Sequence, residues 1–125
     1  MENKFNNYIK SLFSKENESQ KFLNIISNLN KKKGQKIIIY GNGYNGKTVF
    51  VKILSKIYEN NIKIVFNIND IKDNDDNVIY ITLEKDYENL KFENLYIFEF
   101  DKIFKNENLK EYDDIINDGK KILIN

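Results

Sequence analysis

Apolar residues recur at helical spacing along the first thirty positions of the chain. Phe5, Tyr8, Ile9, Leu12 and Phe13 form one set, and Phe22, Leu23, Ile25, Ile26 and Leu29 form a second. Such spacing puts each set on one helical face, so two short helices are predicted, with a polar break around Ser14 to Ser19. Asn30 to Lys33 followed by Gly34 reads as the end of the second helix: cations sit where the helix dipole is negative, and a glycine there can turn left-handed. The pattern then changes. Ile37-Ile38-Ile39-Tyr40 is a β-branched run with no polar face, which predicts a strand buried on both sides.

Helical spacing returns at Val49, Phe50, Ile53, Leu54 and Ile57, predicting a helix over Thr48 to Tyr58. Further strands are predicted at Ile62 to Phe66, Val78 to Leu83 and Lys121 to Ile124, with Asn67 to Asn77 as a polar, acidic loop. Phe92 to Phe104 fits two periods. Phe92, Leu95, Tyr96, Phe100, Ile103 and Phe104 share a helix face, which is the favoured reading, while Leu95 to Asp101 also reads as an aromatic strand. Leu109, Tyr112, Ile115 and Ile116 predict a short helix before Gly119. Strands alternating with helices predict an α/β fold: a three-layer core with a short, mostly parallel sheet of about four strands flanked by helices. The boundary falls near Gln35, with an N-terminal helical segment over 1–35 and the core over 36–125.

Composition narrows the chemistry. The 125 residues include 21 Asn, 20 Lys and 20 Ile, and no Ala, Arg, Cys, His, Pro or Trp. The abundant types have AT-rich codons, so the skew reads first as the mark of an AT-rich genome. Without Cys or His there is no disulfide frame, thiolate nucleophile, imidazole base or His/Cys zinc site, which leaves hard, oxygen-bound ions such as Mg²⁺. A net charge of +1 predicts neither a strongly basic nucleic-acid binder nor an acidic tail. No apolar run approaches the roughly 20 residues that span a bilayer, and the N-terminus lacks a signal-peptide core, so no membrane partner and a soluble, intracellular protein are expected. Asp73, Asp75, Asn77 and Glu84 sit at calcium-loop positions, but Val78 stands where the sharp turn of such a loop needs glycine.

One segment carries specific chemistry. Gly41-Asn42-Gly43-Tyr44-Asn45-Gly46-Lys47-Thr48 satisfies G-x-x-x-x-G-K-[ST], the phosphate-binding P-loop or Walker A motif, between a predicted strand and a predicted helix as the motif requires. Glycines leave room for backbone N–H groups to cradle phosphates, and the new helix adds free N–H groups and the positive end of its dipole. Lys47 then reaches the β- and γ-phosphates, and the Thr48 hydroxyl is a Mg²⁺ ligand. Such a site also needs an acid at the end of a neighbouring strand. Glu84 and Asp86 follow the strand Val78 to Leu83, and Glu99 and Asp101 close the segment Leu95 to Asp101.

The run Gly41-x-Gly43-x-Asn45-Gly46-Lys47-Thr48 resembles the Walker A motif of superfamily 3 helicases, the ATPases of small DNA viruses, poxvirus-type primase-helicases and phage or plasmid replication proteins. In that family an acidic Walker B strand follows, then a motif C strand ending in an Asn that senses the γ-phosphate. Lys121-Ile122-Leu123-Ile124-Asn125 resembles motif C, with Asn125 as sensor and the core ending there. The spacing from Lys47 to Glu84 and on to Asn125 is similar to that of compact members, which favours Glu84, with Asp86, as Walker B over Glu99 and Asp101.

The resemblance implies Mg²⁺-dependent ATP binding with slow hydrolysis in viral or mobile-element replication, Lys47, Glu84 and Asn125 being catalytic and Thr48 and Glu84 holding Mg²⁺, partly through water. A viral protein would then act in host cytoplasm or nucleus. Single-stranded nucleic acid is an implied partner, with Lys102, Lys105 and Lys110 as candidate contacts. A chain without Arg would need a ring of copies or another chain to complete the site with an arginine finger. Two other readings stay open: a nucleotide-binding interaction module without catalysis, and a small P-loop kinase.

Overall fold

A computed structural model describes residues 3–29, 31, 33–41, 46–58, 62–72, 75–83, 92, 94–102 and 111–124. Among them the chain forms α1 (Lys4–Lys10), α2 (Glu16–Ser27), β1 (Lys36–Tyr40), α3 (Lys47–Tyr58), β2 (Lys63–Val65), a 3₁₀ turn (Ile68–Asp70), β3 (Val78–Thr82), β4 (Leu95–Glu99) and α4 (Tyr112–Leu123). The two N-terminal helices and the helix after the P-loop stand where the apolar spacing put them. Asn3 starts α1, its side-chain oxygen accepting from the Asn6 N–H at 3.0 Å.

The four strands form one parallel sheet in the order β2-β3-β1-β4. β1 is therefore interior, with Ile38 opposite Tyr80 on one side and Ile97 on the other. A strand with neighbours on both edges and layers on both faces has no polar side, which is why Ile37, Ile38 and Ile39 are all buried. Ile37, Ile39, Ile79, Ile81 and Phe98 point to the face where α1, α2, α3 and α4 pack. Ile38, Val65, Val78 and Tyr80 point to the other, which Ile71 and, less deeply, Ile68 and Phe92 cover. The fold is thus α/β, with an all-parallel sheet between layers.

Connections follow from this order. From β1 the chain crosses β3 to reach β2 by way of α3, while from β3 it crosses β1 to reach β4. Right-handed crossovers that run in opposite directions lie on opposite faces. Accordingly α3 packs against Ile37 and Ile39, whereas Phe92, from the second crossover, packs on the side of Ile38.

Two elements differ from the expectation. Leu95–Glu99 is a strand, so Phe92 to Phe104 is not one helix. Alternation decided it: Phe98 and Phe100 enter the core, while Ile97 and Glu99, which alternate with them, are exposed. The expected strand Lys121 to Ile124 is instead the end of α4, with Ile124 as its C-cap. Helix α4 does not stop at Gly119 because this glycine is there for contact. A Cβ at Gly119 would lie 2.5 Å from Ile57 Cδ1 and 2.9 Å from Phe5 Cδ2, so its absence lets α4 sit tightly on α3 and α1. Ile115, Ile116, Gly119 and Leu123 then line one buried face, which carries the helix through Leu123.

Phe22 is the centre of an aromatic cluster joining helices to sheet. Its ring lies 5.3 Å from Phe13 and 5.4 Å from Phe50, both tilted, and 4.9 Å from Phe98 and 5.8 Å from Phe100, both edge to face. At the opposite end of the strands, the buried Lys36 ammonium donates to the carbonyls of Asp75 at 2.9 Å and Gly34 at 3.4 Å, and lies over the Phe92 ring. Asn77 accepts from the Gln35 N–H at 3.2 Å and donates to the Leu29 carbonyl, tying the entry of β1 to that of β3.

Phe22→Ala leaves a cavity that four other rings cannot close, and is expected to cost about 3–5 kcal/mol, a large share of the roughly 5–15 kcal/mol of a typical domain. Gly119→Val is expected to cost about 1–3 kcal/mol by overpacking, although valine favours a helix over glycine. Urea unfolding followed by circular dichroism checks both.

Candidate functional site

The carboxyl ends of β1 and β3 are neighbours, and the chain leaves them in opposite directions. In open parallel sheets this is where a crevice forms and ligands bind. A cleft of about 600 Å³ lies here. Its walls are Lys47 and Thr48 from the first turn of α3, Phe66, Asn67 and Ile68 after β2, and Tyr80, Ile81, Thr82 and Leu83 from β3.

Backbone conformation explains the glycines at positions 41 and 46. Gly46 has φ +84° and Gly41 φ +156°, both unfavourable for residues with a side chain. Directly after Gly46 the helix begins, with the Phe50 N–H donating to the Gly46 carbonyl at 2.9 Å. Phe50 is also part of the aromatic cluster, so the first turn of α3 is fixed against α2 and β4. The Lys47 ammonium turns back and donates to the Gly41 carbonyl at 2.7 Å, bridging the two ends of the loop. Burial holds its pKa below the ordinary lysine value. Thr48, the next residue, is exposed in the cleft. Asn42, Gly43, Tyr44 and Asn45 lie outside the described residues.

The candidate acids separate. Glu99 ends β4 opposite Tyr40, and it is exposed on the side of β1 away from β3 and the cleft. Asp101 is engaged elsewhere: one oxygen accepts from the Ser14 N–H at 2.8 Å and the other from the Ser14 hydroxyl. Burial acts most strongly and raises its pKa, but the two Ser14 bonds, a bond from its own backbone N–H and the nearby Lys102 charge together outweigh this and hold the carboxyl below the usual range. Asp101 therefore fastens the end of β4 to the turn between α1 and α2. Glu84 and Asp86 lie outside the described residues, but Glu84 is the next residue after Leu83, which lines the cleft. Asn125 also lies outside them, and its expected place at the end of a strand is overturned, since the residues before it finish α4.

Sequence reasoning missed Phe66, Asn67 and Ile68 as cleft residues. Asn67 to Asn77 was expected to be only a polar loop, yet it begins with the 3₁₀ turn Ile68–Asp70, with the Asn69 N–H bonded to Asn67 Oδ1 at 2.9 Å. The available signal was position: residues just past the end of a parallel strand next to a P-loop strand face the same crevice.

Comparison with protein-family models, with curated proteins and with solved structures finds no match to this chain. Among the described residues no helix is long and apolar enough to cross a membrane, and no group of three or more His, Cys, Asp or Glu could hold a metal by itself.

The Ser14 bonds stabilise the fold more when Asp101 is ionised than when it is protonated. Because its folded pKa is depressed, that contribution is complete above the ordinary aspartate range and is lost as pH falls through the lowered value. The gap in urea midpoint between wild type and Asp101→Asn is expected to be largest at neutral pH and to shrink in acid.

Proposed function

We propose that the chain binds a Mg²⁺-nucleoside triphosphate at Gly41 to Thr48 and hydrolyses it slowly. The observation that carries this is the Lys47 ammonium folded onto the Gly41 carbonyl at the mouth of a switch-point cleft, at the start of α3. A buried ammonium that donates to a neutral carbonyl gains from exchanging it for phosphate oxygens, which carry full charge. The first N–H groups of α3 and its dipole favour the same anion. The exposed Thr48 hydroxyl is the protein ligand that the chain offers to Mg²⁺, and phosphate and water oxygens suit the rest of its shell. When bound, Mg²⁺ neutralises charge on the β- and γ-phosphates.

For water activation we favour Glu84. β3, which precedes it, borders the cleft, whereas Glu99 lies across β1 and Asp101 is bound to Ser14. Kinship with superfamily 3 ATPases rests on the P-loop, and with it rest the proposed replication role, the single-stranded nucleic-acid partner and the ring or second chain that supplies an arginine. A second reading, a nucleotide-binding module without hydrolysis, is favoured by the absence of any Arg.

Titration with a fluorescent ATP analogue tests binding. Lys47→Ala is expected to weaken Mg·ATP by about tenfold or more, ~1.4 kcal/mol per decade. Thr48→Ala is expected to weaken binding with Mg²⁺ and to have little effect in chelator. Affinity should fall at alkaline pH earlier than for an ordinary lysine, as Lys47 loses its proton. Phosphate release separates the readings: Glu84→Gln should abolish turnover and keep binding, whereas a wild type that binds without turnover leaves the module. Wild-type protein with no affinity for ATP would end the proposal.

A further inference from the structure

The cleft extends past the phosphate site on one particular side. P-loop backbone groups hold the α- and β-phosphates, the lysine reaches β and γ, and the threonine holds the metal that bridges β and γ. Lys47 and Thr48 therefore mark the γ end of a bound triphosphate. From them the cleft runs over the ends of β3 and β2, away from Gly41, so most of its wall lies beyond the γ-phosphate. That is the direction from which a group accepting the phosphoryl must approach.

Its walls are not those of a site for water alone. Phe66 is 66% exposed and Leu83 65% exposed, the two most exposed large apolar side chains among the described residues, and both line this cleft. Ile68 adds apolar surface, while Asn67 and Thr82 bring an amide and a hydroxyl. An exposed aromatic ring facing a cleft stacks on a planar ring, since each base offers a π-face, and a few polar groups in an apolar cleft orient a small ligand.

We propose that this wing of the cleft is an acceptor site and that the chain transfers the γ-phosphoryl group of Mg·ATP to the primary hydroxyl of a nucleoside. The proposal rests on the nucleotide-binding reading above. The nucleoside hydroxyl oxygen attacks the γ-phosphorus. An O–P bond forms while the bond to the β–γ bridging oxygen breaks, ADP leaves with that electron pair, and the hydroxyl proton passes to water. Nothing is oxidised or reduced. The base stacks on Phe66, Leu83 past the end of the neighbouring strand adds apolar surface, and the sugar points to Thr48. Slow hydrolysis is then what remains when water stands in the acceptor's place.

The test supplies radiolabelled γ-phosphate ATP and Mg²⁺ with a mixture of the common ribo- and deoxyribonucleosides, and separates labelled nucleoside monophosphate from free phosphate. ATP affinity is measured in parallel. The expected result is labelled monophosphate from wild type and a rise of roughly tenfold in nucleoside KM for Phe66→Ala and Leu83→Ala, with ATP affinity changed much less. Phe66→Tyr, which keeps the stacking face, should restore the low KM. Both side chains are exposed, and circular dichroism confirms that the variants fold.

Wild type that binds ATP and yields only free phosphate overturns the acceptor site and leaves nucleotide binding intact. A comparable loss of ATP affinity in Phe66→Ala overturns it too, because the cleft then holds the nucleotide's own base. Absence of ATP binding by folded wild type overturns both proposals together.

Discussion

Everything near the cleft depends on the packing of Phe22 against Phe13, Phe50, Phe98 and Phe100. A phosphate-binding loop works only if the strand before it and the helix after it are held at a fixed angle, because backbone N–H groups have no side chain with which to adjust. Phe50 lies one turn into α3, and Phe98 and Phe100 are at the end of β4, beside β1. Phe22 bridges them from α2. The N-terminal helices therefore contribute to holding β1 and the start of α3 in place, and aromatic pairs add stabilisation beyond the area that they bury.

The second constraint is topological. A parallel sheet cannot use tight turns, so each connection crosses a face, and the handedness of crossovers makes those from β1 and β3 part on opposite faces. Nothing fills the space between the two carboxyl ends by necessity. Local sequence then equips it: glycines at Gly41 and Gly46 admit positive φ, Lys47 reaches back, and Thr48 faces outward. At the other end of the strands Lys36 and Asn77 tie the entries of β1 and β3 together through bonds to neighbouring carbonyls and an amide.

Asp101 shows how a carboxylate's neighbours decide its role. By sequence it is the alternative to Glu84, since each follows an apolar run and only the spacing favours Glu84. In the fold it meets the Ser14 amide and hydroxyl, which hold it ionised but occupy both oxygens. An oxygen already accepting bonds in a fixed latch is poorly placed to orient a water. Sheet order adds a second reason, since β4 lies across β1 from the cleft.

The chain's own pattern determined the parts with a strong local period or a demanding backbone. These are helices α1 to α3, the doubly buried run Ile37 to Ile39, the strand Val78–Thr82, and the turns at Gly41 and Gly46, whose positive φ calls for glycine. Tertiary structure decided the segments whose local signals balance. Leu95–Glu99 became a strand because β1 offered an open edge and the aromatic core took Phe98 and Phe100. Lys121 to Leu123 stayed helical because Gly119 let α4 approach Ile57 and Phe5. Phe66 and Leu83 joined Thr48 only through strand order, for a ligand cleft is made by residues distant in sequence, and no local period records which strand ends are neighbours.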